Sequence, residues 1–505
     1  MKPFLITTLL FALLFKSSTA QTARVTVNIT QPGTFTNSLF IYDDSPKSDL
    51  LSKGQVSIIP ENGRSGAVVI NLSEPQYFYI ESPYSSAKGM FYHPFFLSPG
   101  DNIIFNIDFS KKDYDMVVTG KGSENNQPLI DPLTSLACTY ACYGDTLPYR
   151  VITAINKQNS INNSILKNYI KRYKTTEAFI KNARLNMAYF APMAFYSFKE
   201  NNRLQLQNHG YDHNISKWQK IQDSLFKTIA LNNDEALSAY NYTMFVDTYV
   251  EREKERGWEE SENNPSQFYQ QWYHTDTVTG KEIFKNERKN LFVEKVIDKY
   301  FTGKTAEYLH AEMIKDAFYE SNYQNIGVVF EHFKQQYPNS KYSSAFAAPI
   351  AAVLKKQSLT LNDHMIFVPQ NGSKLNTIED VMAITKGKTV FVDMWGTWCG
   401  PCREEIEANS AALETYFKGK DVVFLYIANN DSDHEEQWKK LIAYYQLEGT
   451  HVLANEKLTG DIMQKTKSRG FPSYFIIKKD GTYLQTNTEH PVNRQALIKE
   501  IEAAL

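Results

Sequence analysis

A chain of 505 residues has room for roughly three domains at about 150 residues each, so one motif need not account for all of it. Its 54 Lys and Arg stand against 56 Asp and Glu, a formal charge of −2. No basic block of the kind that tracks phosphates is present, which argues against nucleic-acid binding.

The first residues, "MKPFLITTLLFALLFKSSTAQTA", set Lys2 before an apolar stretch from Phe4 to Phe15, then Ser18-Thr19-Ala20. About 12 apolar-rich residues are too few to span a bilayer comfortably, while Ser18 and Ala20 suit the −3 and −1 positions of a signal peptidase site. Residues 1–20 are therefore read as a cleaved export signal, leaving a soluble, periplasmic mature chain. A retained anchor is the alternative, but Lys16 interrupts the run. No cysteine follows the cleavage point, which disfavours a lipoprotein.

Residues 21–122 are expected to form a small antiparallel β-sandwich. The segments "ARVTVNIT", "SLFIYDD", "AVVINL", "QYFYIES", "DNIIFNIDF" and "DMVVTG" are rich in β-branched and aromatic residues. Turn chemistry separates them, as at Pro32-Gly33 and Pro99-Gly100-Asp101. Residues 123–360 are expected to be mostly helical, with apolar residues at three- and four-residue intervals in "SILKNYIKRYKTTEAFIKNA" and "AEYLHAEMIKDAFYE". The aromatics of "NMAYFAPMAFYSF" read as core, and "KKQSLTLNDH" as a linker.

Residues 361–505 alternate differently. "KTVFVDMW" and "DVVFLYIAN" read as strands, and "CREEIEANSAALETYF" and "HEEQWKKLIAYYQL" as helices. A hairpin turning at Lys479-Asp480-Gly481 and a closing helix follow. This order predicts an α/β sheet with helices on both faces.

Four cysteines serve the whole chain: Cys138, Cys142, Cys399 and Cys402. So few argue against a disulfide framework and leave room for chemistry. Cys399 and Cys402 form one C-x-x-C, half of the ligands a structural zinc wants, and nothing nearby completes the set. A structural bridge is the other alternative, but Cys399 falls where a strand meets a helix. There, free N–H groups and the helix dipole stabilise a thiolate. Cys399 is thus the candidate nucleophile and Cys402, one turn along, the resolving thiol. Gly400 and Pro401 keep the turn tight. Arg403 adds positive charge and otherwise reads as a solvated helix-face residue. Cys138 and Cys142 read as two small buried thiols, with a disulfide as the alternative.

"VDMWGTWCGPC" resembles the thioredoxin active-site strand and motif. With "LYIANNDSDHEEQWKKLIAYYQLEGTHVL" and "RGFPSYFIIKKDG", the last 145 or so residues resemble the TlpA/ResA-like periplasmic thiol-disulfide oxidoreductases. The resemblance implies a thioredoxin-like fold and a set of roles. Asp393 matches the buried acid that takes a proton from the resolving cysteine. Pro472 matches the cis-proline beside the disulfide, and Phe471 the preceding position that tunes selectivity. Glu405 matches an active-site acid of the ResA-like branch, although a solvated helix glutamate is the alternative. Trp398, Gly400 and Pro401 complete the motif as supporting residues. Glu407 stands where relatives often carry a proline, so the active helix is expected to lack their kink.

The function expected is an exported oxidoreductase reducing disulfides of envelope protein clients through the CGPC dithiol. It needs no cofactor beyond the Cys399–Cys402 disulfide, binds no metal, and implies a membrane electron donor. Disulfide isomerase or oxidase activity is one alternative. Another is a binding protein whose redox domain is an accessory. A thiol peroxidase is disfavoured, because Thr397 sits two rather than three residues before Cys399.

Overall fold

The computed structural model describes residues 21–33, 38–43, 56–72, 74–82, 91–111, 114–127, 137–202, 211–485 and 491–505. The export signal read at 1–20 lies outside the described residues. Eight strands come first: β1 (Gln21–Gln31), β2 (Leu39–Tyr42), β3 (Val56–Ile59), β4 (Ser65–Leu72), β5 (Gln76–Glu81), β6 (Tyr92–Leu97), β7 (Asn102–Asp108) and β8 (Asp115–Lys121). They form two four-stranded sheets, ordered β4-β1-β7-β8 and β3-β2-β5-β6. Period-two alternation sends Val25, Val27 and Ile29 of β1 to the same side as Ile103, Phe105 and Ile107 of β7. These residues share one apolar core with Ile41, Phe78, Ile80 and Phe95 of the other sheet.

The expectation of a purely antiparallel arrangement needs correction, because β1 and β7 pair in parallel. Sequence reading also missed β6, whose Pro94 argues against a strand. The structure explains the exception: β6 is an edge strand, where a missing N–H costs little. Its backbone is closed off by a side chain, with Phe96 N–H donating to Asn126 Oδ1 at 2.6 Å and Asn126 Nδ2 donating to Phe96 O at 2.8 Å.

Among the described residues ten helices follow: α1 (Pro148–Tyr173), α2 (Glu177–Asn201), α3 (Ile215–Phe226), α4 (Tyr240–Asn263), α5 (Pro265–Tyr273), α6 (Thr277–Glu287), α7 (Asn290–Tyr300), α8 (Gly303–Tyr319), α9 (Ile326–Gln336) and α10 (Ser343–Gln357). Phe190, Phe195 and Tyr196 of α2 are core residues. Cys138 and Cys142 lie in a 3₁₀ turn, Ala137–Cys142, and are not bonded to each other. Cys142 is buried but Cys138 only half so, because the turn lies near the surface. Burial pushes both thiols up, which makes them poor nucleophiles. No helix among the described residues is long and apolar enough to cross a membrane.

The chain divides into two compact units: residues up to Lys315 with His332–Tyr342, and Asp316–Glu331 with Ser343–Leu505. The second unit thus recruits chain from before residue 361. Its C-terminal part contains β9 (Met365–Phe367), α11 (Ile378–Ile384), β10 (Thr389–Trp395), α12 (Gly400–Phe417), β11 (Val422–Ala428) and α13 (Glu435–Tyr445). Then come β12 (Gly449–Leu453), α14 (Glu456–Thr466), β13 (Ser473–Ile477), β14 (Tyr483–Gln485) and α15 (Arg494–Ala503). The sheet order is β14-β13-β10-β11-β12-β9. Every residue of β10 is buried, as a central strand covered on both faces requires. Phe391 and Trp395 enter the core under α12, whereas Val390, Val392 and Met394 enter the core on the opposite face. This is the thioredoxin-like arrangement, with β10 between parallel β11 and antiparallel β13.

Specific contacts join the recruited segments to this domain. Tyr323 stacks on Tyr444 with centroids 6.1 Å apart, Gln357 Nε2 donates to Tyr323 O at 3.0 Å, and Lys356 pairs with Glu407. Arg403 is not the solvated residue its sequence position suggests. Its guanidinium donates to Ser321 O at 2.8 Å and to Glu320 O at 3.2 Å, just past the end of α8. Arg403→Ala should therefore lower the stability of this unit by about 1–3 kcal/mol, since two acceptors lose a charged donor. Pulse proteolysis of the full chain in urea, scored on fragments of the C-terminal unit, checks this; an unchanged midpoint would contradict it.

Candidate functional site

α12 starts where β10 ends, because the chain reverses through Gly396-Thr397-Trp398-Cys399 and Pro401 suits the first helical turn. Cys399 is the N-cap, and its sulfur accepts a hydrogen bond from the Cys402 N–H at 3.3 Å. Cys399 and Cys402 are joined as a disulfide with Cα atoms 5.3 Å apart. Cys399 is 4% exposed and Cys402 0%, so both are buried and the second is the more enclosed. A Cβ added at Gly400 would meet nothing within 4 Å, which leaves the approach over the helix start open.

The exposed indole of Trp398 stands beside the disulfide. Its Nε1 donates to Asn429 O at 3.0 Å, and its ring meets Phe471 edge-on at 5.8 Å. Gly396 makes this fold-back possible, since a Cβ there would lie 2.6 Å from Trp398 Nε1. The Phe471–Pro472 peptide is cis. Both residues are half-buried on the approach to β13.

Asp393 lies in mid-strand, in register with Tyr426 on one side and Tyr474 on the other. Alternation along β10 puts it on the same face as Phe391 and Trp395, whose core contains both cysteines. It is 3% exposed, and its Oδ1 has no hydrogen-bond partner within the described protein. Burial, reinforced by the nearby charge of Glu405, pushes the Asp393 carboxyl well above the usual carboxylate range. Glu405 in turn accepts a 2.9 Å bond from the Tyr474 hydroxyl, so it faces the sheet rather than solvent. On the other flank, the Tyr426 hydroxyl donates to Glu414 Oε1 at 2.5 Å, and burial raises Glu414 to about 7.

A linkage prediction follows for the oxidised protein. Folded Asp393 keeps a proton that the unfolded chain releases above about pH 4. The native state therefore binds more protons, and stability falls as pH rises through that window, by up to about 1.4 kcal/mol per pH unit. Asp393→Asn removes this slope, so the variant should gain stability relative to the parent from pH 4 upward. Parallel denaturation curves at pH 4 and 7 measure the difference; an equal gap at both would place Asp393 in a solvated setting.

The structure brings together Asp393, Trp398, Cys399, Gly400, Pro401, Cys402 and Glu405, with Phe471 and Pro472 reached through Trp398. α12 runs uninterrupted through Glu407. Sequence reasoning missed the loop after β11. Asp431 accepts from the Thr397 main-chain N–H at 2.7 Å and from its hydroxyl at 2.6 Å. Only the quoted "NNDSD" hinted at this, and nothing in its spacing singles out Asp431. Among the described residues, no group of three or more His, Cys, Asp or Glu converges as a metal site would require.

The Redoxin family matches residues 372–505. The thiol-disulfide oxidoreductase ResA of Bacillus thuringiensis subsp. konkukian is 33% identical over 100 residues, 20% of this chain and 54% of that protein. The chain thus spans about half the length of that curated relative. An uncharacterized protein of Haemophilus influenzae is 30% identical over 121 residues, 23% of this chain and 74% of its own length. A solution structure of a thiol:disulfide interchange protein from Bacteroides sp. is 22% identical, with a TM-score of 0.21, covering 24% of this chain and 76% of that one. The matched relatives agree with the C-x-x-C at the strand-to-helix turn: residues 372–505 form a Redoxin-family domain of thioredoxin-like fold that is similar to the ResA thiol-disulfide oxidoreductases.

Proposed function

We propose that this chain is an exported thiol-disulfide oxidoreductase that reduces disulfides of envelope proteins through Cys399 and Cys402. One observation carries the reading: the pair starts an active helix with Cys399 at its N-cap, Cys402 fully buried one turn on, and a carboxyl of raised proton affinity on the same buried face. In the reduced chain, the helix start stabilises the Cys399 thiolate. That thiolate attacks one sulfur of a client disulfide. A Cys399–client bond forms, and the client's other sulfur leaves as thiolate. Asp393, after giving up its own proton to solvent, takes the Cys402 proton, its raised proton affinity making it a stronger base than an ordinary carboxylate. The Cys402 thiolate then attacks the Cys399 sulfur, closing the internal disulfide and releasing the second client thiolate. Two electrons have passed from chain to client.

Pro472 and Phe471 shape the client's approach, while Glu405 modulates the proton affinity of Asp393. The oxidised product must be re-reduced, and in an oxidising envelope this requires a membrane electron donor. The two N-terminal sheets are read as the layers of a β-sandwich. The test mixes the chemically reduced full chain with insulin. Two insulin thiols should appear for each Cys399–Cys402 disulfide formed; a folded chain that stays reduced and transfers no electrons would overturn the reading.

A further inference from the structure

The turn carrying Cys399 is gripped from outside its own strand and helix. Thr397, two residues before the nucleophile, gives both its donors to one carboxylate: N–H to Asp431 Oδ2 at 2.7 Å and hydroxyl to Asp431 Oδ1 at 2.6 Å. Asp431 is fully buried beneath this partly exposed turn. A buried carboxylate is costly unless its oxygens are engaged, so the turn and the acid hold each other in place.

The loop bearing Asp431 is itself pinned. Asn429 Nδ2 donates to Ile427 O at 2.7 Å and to Trp395 O at 3.1 Å, and its Oδ1 accepts from the Thr459 hydroxyl at 2.9 Å. Asp431 O accepts from His434 N–H at 2.8 Å, which leads into α13. The Cys399 N–H closes the gripped turn on Gly396 O at 3.1 Å. The position of Cys399 therefore depends on a carboxylate supplied by the neighbouring β11–α13 connection.

We propose that Asp431 is a positioning residue for the thiol attack, acting through Thr397 to hold Cys399 in line with an incoming disulfide. The proposal rests on the reading of Cys399 as the attacking thiol. In-line displacement at sulfur is sensitive to sub-ångström placement, so a loosened turn slows attack even where the helix dipole still stabilises the thiolate. Resolution by Cys402 sits one helical turn further on and does not pass through Thr397.

The test uses the full chain carrying Cys402→Ser, with insulin as probe, and follows formation of the Cys399–insulin mixed disulfide by peptide mass. Thr397→Val and Asp431→Asn should each slow attack about tenfold or more, and Thr397→Ser should stay within about twofold of the control. Rescue by serine separates positioning from bulk stability, because both Thr397 variants alter packing but only valine removes the hydroxyl. If Asp431→Asn does not fold, Thr397→Val decides. Attack at the control rate by folded Thr397→Val overturns the proposal. A control that forms no insulin complex overturns the Cys399 reading and the proposal with it.

Discussion

Cys402→Ser should accumulate covalent client complexes that reductant dissolves, while Cys399→Ser should form none and lose client turnover by on the order of a thousandfold or more. The expectation rests on unequal access. Cys399 sits at the helix N-cap with 4% exposure, whereas Cys402 is fully buried one turn into the helix, the less accessible of the two to a client. Replacing Cys402 removes the one group placed to displace the client, so the first step proceeds and the second stops. Non-reducing gels of envelope extracts from cells expressing each variant give the comparison. Equal complex formation by Cys399→Ser would reverse the assignment of nucleophile and resolver.

Asp393→Asn should slow resolution of the mixed disulfide about a hundredfold near neutral pH and leave the first attack largely intact. The sign follows from the site. Cys402 is closed in the core, so its proton needs an internal acceptor, and a carboxyl raised by burial is matched to that task better than an ordinary one. An asparagine preserves shape without accepting the proton. The gap between parent and variant should narrow above about pH 8.5, where thiols ionise unaided. Single-turnover decay of a preformed mixed disulfide, followed from pH 6 to 9, reads this directly. Superimposable profiles would leave Asp393 a structural residue.

What could be read in the sequence was local. The C-x-x-C, the apolar run of β10 and the turn chemistry at Lys479-Asp480-Gly481 each occupy a few consecutive residues, so the pattern and its physical cause coincide. Short or mixed elements were lost: three-residue β9 offers too little period, and α14 interrupts its apolar spacing with Thr459 and Gly460. Partnerships across long sequence separations were not legible either. Glu405 facing Tyr474, Asp431 clamping Thr397 and Arg403 reaching the Ser321 carbonyl join residues 34 to 82 positions apart, and no spacing rule encodes them. Arg403 shows the consequence, since it reads as a solvated helix-face residue and is engaged once the fold is formed, whereas Glu405 reads as a site acid with a solvated role as the alternative and its bond from Tyr474 disfavours that alternative.

The direction of electron flow is the central claim, and the dipeptide between the cysteines argues for it. A strong oxidant needs an unusually stabilised thiolate, yet Gly400 and Pro401 offer no side-chain donor, and Asp393, wherever it is ionised, opposes further negative charge. The expected potential lies nearer thioredoxin's, about −270 mV, than a strong periplasmic oxidant's, about −120 mV, a separation of roughly 7 kcal/mol for two electrons. Equilibrating the full chain with glutathione redox buffers, and quantifying the Cys399–Cys402 disulfide by peptide mass, measures it. A value near −270 mV is the predicted result; one above roughly −180 mV, the range of isomerases and oxidants, would contradict the reductase assignment.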